Sequence, residues 1–338
     1  MRLTRTSRRA AALSAVLTAT LLTSAACSGG DAAGGDADDD TVEVNFGYIA
    51  DFNGTSLLAV AEDQGMWKEH GVDVKTTSFT NGPLQIQALG TGDLDFGYIG
   101  PGAFWLPASG QAKVVAMNTL GQADRVVAQP GIDSIEELKG KKVAVPEGTS
   151  GDMILTLALQ DAGMTKDDVE IVPMEPAAIV AALSAGKVDG AGFWYPALAT
   201  VKKQVPDLVE LAKNSDFDDT VAFPTAFVAG NDVVADEQEK VDRALAVLRE
   251  AIDYRAEHLD ETIELTAEFN DLPVEDVASD AENVQVLSLD EIDGYTKDGT
   301  FDTWLSGMED YFVQAGQLPE AVDPSEFYTG DQFLKAGE

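Results

Sequence analysis

The spacing of hydrophobic and polar residues follows two patterns in turn from residue 41 onward. Apolar and polar residues alternate from Val42 to Ile49, which predicts a strand that ends in a loop with Gly54. Apolar residues then recur at helical spacing over 56–70, and Gly71 is placed to end that helix. The next predicted elements are a strand at 72–79, a helix at 84–89 and a strand at 94–99. Strands that alternate with helices indicate a largely parallel α/β sheet with right-handed crossovers.

The same alternation begins again after residue 140. The predicted elements are a strand at 141–146, a helix at 152–162, a strand at 169–173, a helix at 177–184 and a strand at 188–193. Segments 88–95 and 182–189 are also alike, because each contains the end of a helix, a glycine turn and a strand that begins at an aspartate. We therefore expect two lobes of the same architecture.

Two strand-like segments, 125–129 and 224–229, are predicted to cross between the lobes. A pair of crossovers between two doubly wound lobes forms a hinge with a cleft beside it. We expect an α/β fold of two doubly wound lobes, the first made of 41–127 and 227–338 and the second of 128–226. The amphipathic helices that follow Glu237 are expected to pack on the first lobe.

The N-terminal segment has the layout of a secretory signal peptide followed by a lipid-attachment cysteine. A stretch with four arginines precedes an apolar run at 10–22, which is too short to span a bilayer. The sequence Ser24-Ala25-Ala26-Cys27 resembles a bacterial lipobox, and Cys27 is the only cysteine of the chain. We expect removal of residues 1–26, acylation of Cys27 and a disordered tether at 27–40, so that the folded part lies at the outer face of the cytoplasmic membrane. Ordinary secretion with cleavage nearby is the alternative.

The chain is strongly acidic, with 59 Asp and Glu against 22 Lys and Arg and a formal charge of −37. Loss of the four leader arginines would make that charge about −41. Such a charge repels nucleic acids and anionic lipids, which argues against a nucleic-acid-binding function, and it keeps an extracytoplasmic protein soluble. A bound anion would have to be held by local dipoles against this field.

Several stretches of the chain resemble one known family. They are 79–83 with 92–97, 143–146, 175–183 and 186–198. On these residues the chain resembles the solute-binding lipoproteins of bacterial ABC importers, in the nitrate, taurine and aliphatic-sulfonate group, and most closely the taurine-binding branch. The resemblance implies the periplasmic-binding-protein type II fold and a monomer that captures a small sulfonate or amino-sulfonate by hinge closure. It also implies an ABC permease in the membrane as partner.

Two alternatives to that function stay open. One is a binding protein for a small cationic nitrogenous solute, such as a guanidinium compound or an amine, or for a pyrimidine. The other is a lipoprotein that senses a ligand and is not dedicated to transport.

The position of the site follows from the fold class. In open α/β sheets a ligand lies beyond the carboxyl ends of the strands, which selects the loops 51–54, 81–85, 100–102, 147–151, 175–176 and 193–196. The start of a helix at Thr149-Ser150-Gly151 offers backbone N–H groups and hydroxyls to an oxyanion, and Gly100 and Gly102 could do so from the opposite lobe. Thr149 and Ser150 could equally be simple helix caps.

Acidic and aromatic side chains in the same loops favour a cation instead. The acids are Asp51, Glu147, Asp152 and Glu175, and Arg125 is nearly the only base beside them. Carboxylates with aromatic rings suit an ammonium or guanidinium group, and an amino-sulfonate would satisfy both sets of contacts. The acids could also belong to the general acidic surface, and the rings could pack the strand ends. The candidate ligand contacts are Asp51, Phe52, Asn53, Asn81, Gln85, Gly100, Gly102, Glu147, Thr149, Ser150, Glu175, Trp194, Tyr195 and Phe223.

The sequence gives little support for an enzyme. The two histidines, His70 and His258, lie on predicted helix surfaces away from the strand-end loops. No His, Cys, Asp or Glu residues have zinc spacing, and neither a G-x-S-x-G turn nor a phosphate-binding P-loop is present. We therefore expect no catalytic activity, no cofactor and no metal ion.

Overall fold

The computed structural model describes residues 41–336. The predicted signal peptide, Cys27 and the tether lie outside the described residues. The strands are β1 Val42–Ile49, β2 Val72–Phe79, β3 Phe96–Ile99, β4 Lys113–Gly121, β5 Asp124–Ala128, β6 Lys142–Val145, β7 Glu170–Pro173, β8 Gly190–Trp194, β9 Val209–Lys213, β10 Pro224–Ala229 and β11 Val284–Val286. The helices are α1 Phe52–Asp63, α2 Met66–Glu69, α3 Gly82–Thr91, α4 Trp105–Ala108, α5 Ser150–Asp161, α6 Pro176–Ser184, α7 Ala197–Gln204, α8 Asn231–Asp236, α9 Gln238–Glu257, α10 Leu259–Asn270, α11 Val274–Ala281, α12 Leu289–Asp298, α13 Thr300–Gln314 and α14 Gly330–Lys335.

The strands form two sheets. One has six strands in the order β11-β4-β10-β3-β1-β2, and the other has five in the order β7-β6-β8-β5-β9. In each sheet three strands pair in parallel, as the alternating elements predict. The strands β10 and β5 then add to those parallel sets in the antiparallel direction. The predicted fold class, two α/β lobes of similar architecture, is confirmed.

The chain passes between the sheets at places that differ from the predicted crossings. The predicted crossing 125–129 falls largely in β5, which pairs with β8 and β9 in the five-stranded sheet, and 224–229 is β10 of the six-stranded sheet. The predicted lobe limits at 127/128 and 226/227 therefore fall inside strands. Because backbone groups within a strand need partners in its own sheet, we propose lobe limits at the passages themselves, 122–123 and 214–223.

Two local expectations were wrong, and one element was missed. The helix predicted at 56–70 is two helices, because α1 begins at Phe52, where the Asp51 carboxylate caps it, and Gly65 breaks it with a φ of 74°. The segment after Ser134, whose sequence Ser-Ile-Glu-Glu predicts a capped helix, is only a 3₁₀ turn at Glu136–Leu138. The long strand β4 was not predicted.

The C-terminal helices pack on the first lobe, as expected. The helix α9 lies against α1, β1 and β4, and its apolar face at Val241, Leu245, Leu248 and Ile252 is fully buried. Within residues 41–336, no helix is both long enough and apolar enough to cross a bilayer.

The lobes touch each other through their backbones. A Cβ atom added at Gly102 of the first lobe would overlap the carbonyl carbon and oxygen of Thr149 and the amide nitrogen of Ser150 in the second lobe. On the rim of the same cleft, Asn81 Nδ2 donates to Glu175 Oε2 over 2.9 Å and to Oε1 over 3.1 Å. The two lobes are therefore in direct contact across the cleft, the arrangement expected of a closed form.

We predict that Gly102→Ala holds the lobes apart, because its methyl group meets backbone atoms that no rotamer change can move. The variant should fold, and small-angle scattering should give it a larger radius of gyration than the unsubstituted protein. Gly90→Ala is the control, since a Cβ atom at Gly90 meets nothing within 4 Å. A Gly102→Ala protein as compact as the control would show that closure does not depend on this contact.

Candidate ligand-binding site between the lobes

A small cavity lies where the carboxyl ends of the strands of both lobes meet. Its volume is about 40 Å³, which is room for about three water molecules. The predicted contacts that line it are Asp51, Asn53, Gly100, Thr149, Ser150, Trp194 and Tyr195. The strand-end rule thus selected loops that converge on one cavity, and their contact with a ligand stays a prediction.

Three predicted contacts lie in the protein interior instead. Phe52 is fully buried against α10 and α11, and Phe223 belongs to the main hydrophobic core. Gln85 is also fully buried, and it donates from Nε2 to the Tyr98 carbonyl over 2.8 Å and accepts from the Tyr98 amide over 2.9 Å. Its side chain satisfies both backbone groups of Tyr98. We therefore do not propose these three residues as ligand contacts.

Four further predicted contacts lie at the cleft rim and do not line the cavity. Gly102 contacts the second lobe, and Asn81 caps α3 and holds Glu175 across the cleft. Glu147 is exposed, and together with Asn81 and Glu175 it lines a separate surface pocket. These two glutamates therefore do not face the space where an ammonium group was expected.

Asp124 is a cavity residue that sequence reasoning missed. Its backbone N–H donates to Asn214 Oδ1 over 2.7 Å, and Asn214 Nδ2 donates to Asp124 Oδ2 over 3.0 Å. Its other carboxylate oxygen, Oδ1, makes no hydrogen bond of normal geometry with the described residues, although Asp124 is only 3 % exposed. The Ser150 hydroxyl is close enough to lower the pKa of Asp124 but does not complete a bond to Oδ1. An unpaired buried carboxylate oxygen is costly, so this atom indicates a donor on the ligand. The only signal in the sequence is an acid at the first position of an apolar strand.

Burial raises the pKa of the carboxyl groups around the cavity. The pKa of Asp51 lies well above its usual range, because of burial and of repulsion from Asp280 and Asp124, although the Gly54 N–H opposes the shift. Burial also raises the pKa of Asp124, against the effects of the Ser150 hydroxyl, Asn214 and Arg125. Asp280 accepts the Phe52 N–H over 2.7 Å, and burial raises its pKa to about 7.

No positive side chain offsets these acids inside the cavity. Among the described residues that line it, none is Lys or Arg. Arg125 is directed elsewhere: its guanidinium donates to the carbonyl groups of Gln122 and Asp124, to Glu210 and to Asn283. The Arg125 guanidinium therefore holds the backbone at the passage between the lobes and is not directed into the cavity. The described residues also contain no group of three or more His, Cys, Asp or Glu suited to a metal ion.

The positive ends of two helices beside the cavity already carry carboxylates of the chain itself. At α1 the backbone N–H groups bind Asp51 and Asp280. Beside α5 the Gly148 N–H donates to Asp152 over 3.1 Å. Thr149 does not cap α5 with its side chain, because its hydroxyl donates to the Pro146 carbonyl over 2.6 Å. The dipole that would attract an oxyanion is thus partly offset at both helices.

Aromatic rings complete the wall of the cavity. Trp194 and Tyr195 are each 9 % exposed, and Tyr98, which was not predicted, is 2 % exposed. The Tyr195 hydroxyl accepts from Lys202 Nζ over 2.9 Å, and its ring already contacts Lys202 and Arg125 at 5.4 and 5.8 Å from the centroid. Trp194 and Tyr98 are therefore the rings better placed to contact a ligand cation.

Comparison with known proteins identifies the family. The NMT1/THI5-like family model matches residues 53–262, and the chain belongs to this family. A Brucella abortus protein named only as a binding protein is 50 % identical over 87 % of this chain and 92 % of its own length. The taurine-binding periplasmic protein of Escherichia coli is 33 % identical over 42 % of this chain and 45 % of its own length.

Solved structures show the same fold at low sequence identity. The alkanesulfonate-binding protein SsuA from Xanthomonas axonopodis, bound to MOPS, has a TM-score of 0.66 at 21 % identity, over 86 % of this chain and 99 % of its own. The desulfurization enzyme DszB also shares the fold, with a TM-score of 0.63 at 14 % identity over 87 % of this chain and 98 % of its own. The resemblance to binding proteins is thus confirmed, while the fold alone does not separate a binding protein from an enzyme.

We predict that the shifted pKa of Asp280 makes the protein less stable at pH 7.5 than at pH 5. Its folded pKa of about 7 is above the unfolded value, so the folded state binds more protons between about pH 4 and 7 and stability falls through that window. Asp280→Asn should remove up to about 3 kcal/mol of this fall, because about two pH units separate pH 5 from the folded pKa of about 7 and each is worth about 1.4 kcal/mol. Urea unfolding at both pH values measures it.

The control for this experiment is Glu275→Gln, an exposed acid on the same helix. It should leave the difference between the two pH values as in the unsubstituted protein. If Asp280→Asn also leaves that difference in place, the buried acid does not titrate in this range.

Proposed function

We propose that the chain is the extracytoplasmic solute-binding protein of an ABC importer, which encloses a small solute between its lobes and delivers it to a membrane permease. Support comes from the family, from relatives named as binding proteins and from a cavity at the strand ends of two closed lobes. Attachment through Cys27, a monomeric state and the absence of catalysis belong to this proposal. The taurine-binding relative and the alkanesulfonate-binding structure are named as binding proteins, whereas DszB, an enzyme, shares the fold at 14 % identity.

The solute that fits the geometry best carries a positively charged, N–H-rich nitrogen group. The single observation that carries this proposal is Asp124 Oδ1, a buried carboxylate oxygen of the cavity wall without a partner among the described residues. Asp51 faces the same space, and the rings of Trp194 and Tyr98 are beside it. An ammonium, amidinium or guanidinium group would donate to both carboxylates and contact the rings.

A simple anion fits the same cavity poorly. It would meet two carboxyl groups and no lysine or arginine among the described lining residues. The dipole of α1, which could otherwise hold an anion, already acts on Asp51 and Asp280, and Asp152 in the first turn of α5 offsets part of the dipole of that helix. A sulfonate or nitrate would therefore have to bind against the local charge as well as the charge of the whole chain.

An amino-sulfonate such as taurine is the second candidate. The first turn of α5 reaches the cavity at Ser150, so a sulfonate could approach that helix start while its ammonium group binds Asp124, if the lobes close less tightly around it than in this structure. The relatives named for taurine and aliphatic sulfonates favour this class. The two candidates share the ammonium contact and differ only in whether an anionic group adds affinity.

Hinge closure would make the ammonium contact strong. The carboxyl groups have raised pKa values because they are buried, so a cation that enters favours their ionised forms and releases protons. Removal of water from the closed cavity strengthens each charge-assisted hydrogen bond. We therefore expect affinity for the cation to rise with pH over the range in which these groups titrate.

A thermal-shift screen of residues 41–338 tests the proposal. A ligand that binds only the folded state raises the melting temperature according to RT ln(1 + [L]/Kd). We expect shifts with alkylammonium and guanidinium salts and none with methanesulfonate or nitrate. A larger shift with taurine than with ethylammonium would favour the amino-sulfonate, and shifts with simple sulfonates alone would contradict the cation site.

We predict that Asp124→Asn weakens binding of the cation about ten- to a hundredfold, because it removes a charge-assisted hydrogen bond. The amide oxygen can still accept from Asn214, so the fold should be kept. Titration calorimetry measures the affinity, and Glu147→Gln serves as the control because that acid is exposed and lies outside the cavity. Equal losses in the two variants would show that general surface charge, and not this site, binds the cation.

A further inference from the structure

A large groove adjoins the inner cavity on the outer side of the cleft. Its volume is about 520 Å³, and it lies between the start of α6 and α7 in the second lobe and the end of β2 and α10 in the first. Ile49, Asp51 and Trp194 line both the groove and the cavity. These three residues therefore stand between the two spaces, and a ligand that passes them would occupy both.

The inner cavity is too small for a whole solute of ordinary size. Its volume of about 40 Å³ accommodates about three water-sized groups. That is room for a methylammonium or amidinium group and for little else. Any further atoms of the solute must therefore extend past Asp51 and Trp194 into the groove.

The walls of the groove have the chemistry of an apolar subsite. Phe79, Val180, Ala197 and Leu272 present hydrocarbon surface there, and Trp194 adds the side of its ring. The groove also contains Asn270, whose Nδ2 atom is buried and has no hydrogen-bond partner among the described residues. Both spaces thus contain a buried polar atom that a ligand would satisfy.

We infer that the solute is an amphipathic amine, with its charged nitrogen head in the inner cavity and an alkyl or aryl extension in the outer groove. This inference rests on the proposed function, because it takes the head to be a cation at Asp124 and Asp51. It adds the substrate class: a compound with a hydrophobic part of several carbon atoms.

Titration calorimetry with a series of amines tests the inference. The probes are methylammonium, butylammonium and 2-phenylethylammonium, which keep the head and enlarge the extension. Each methylene group that is buried should improve Kd about three- to fourfold. We therefore expect 2-phenylethylammonium to bind more than about tenfold more tightly than methylammonium.

A bulky substitution in the groove provides the matched comparison. Ala177 is exposed and lines the groove, whereas Ala178 is the next residue of α6, is equally exposed and does not line it. Ala177→Trp should bring the ratio of the two affinities close to one, because the indole ring fills the space of the extension. Ala178→Trp should keep the ratio of the unsubstituted protein.

The outcomes separate the inference from the proposed function. Suppose that amines bind and that Asp124→Asn weakens their binding. If the larger amines then bind no more tightly than methylammonium, or if Ala177→Trp does not reduce their advantage, the inference is overturned and the cation site stands. If no amine binds, or if binding ignores Asp124→Asn, the proposed cation site fails and the inference fails with it.

Discussion

The two passages between the lobes are tied together by the reciprocal hydrogen bonds between Asp124 and Asn214 and by a bond from Gln122 Nε2 to Asp218 Oδ1. Asp124 begins the strand after the first passage, and Asn214 begins the second passage, so this pair fixes the two hinge segments against each other. The pair uses the Asp124 backbone N–H and one carboxylate oxygen, which leaves Oδ1 at the cavity wall. The side chain that links the two passages is therefore also the one that we propose to bind the solute, so the proposed site couples ligand contact to the geometry of the passages.

The electrostatics of the cavity agree with those of the whole chain. An anion would have needed local dipoles to overcome a formal charge of −37. The N–H groups at the start of α1 are already bound by Asp51 and Asp280, and Asp152 in the first turn of α5 offsets part of the dipole of that helix. A cation is attracted by the chain at long range and by the carboxylates at short range. The repulsion among the buried acids, which raises their pKa values, is relieved when such a cation enters.

Sequence reasoning found the fold and the loops that converge on the cavity, because both follow from the order of elements along the chain. Asp51, Ser150 and Trp194 lie at or just beyond strand ends, where an open α/β sheet binds ligands. Sequence reasoning could not assign roles to single side chains whose contacts are distant in the sequence. The position of Asp124 at the cavity wall depends on its hydrogen bonds with Asn214, 90 residues away in the sequence. Glu175 is held at the rim by Asn81, 94 residues away. A local pattern does not contain such pairings.

The contact between Gly102 and the Thr149 backbone has a consequence for selectivity. Because the closest approach of the lobes joins two main chains, the spacing of the closed lobes does not depend on side-chain rotamers. The inner space therefore has one fixed height for every compound that enters. Head groups that exceed this height prevent full closure, whereas the length of the remainder has no such limit. The protein would thus be strict about one end of its ligand and permissive about the other.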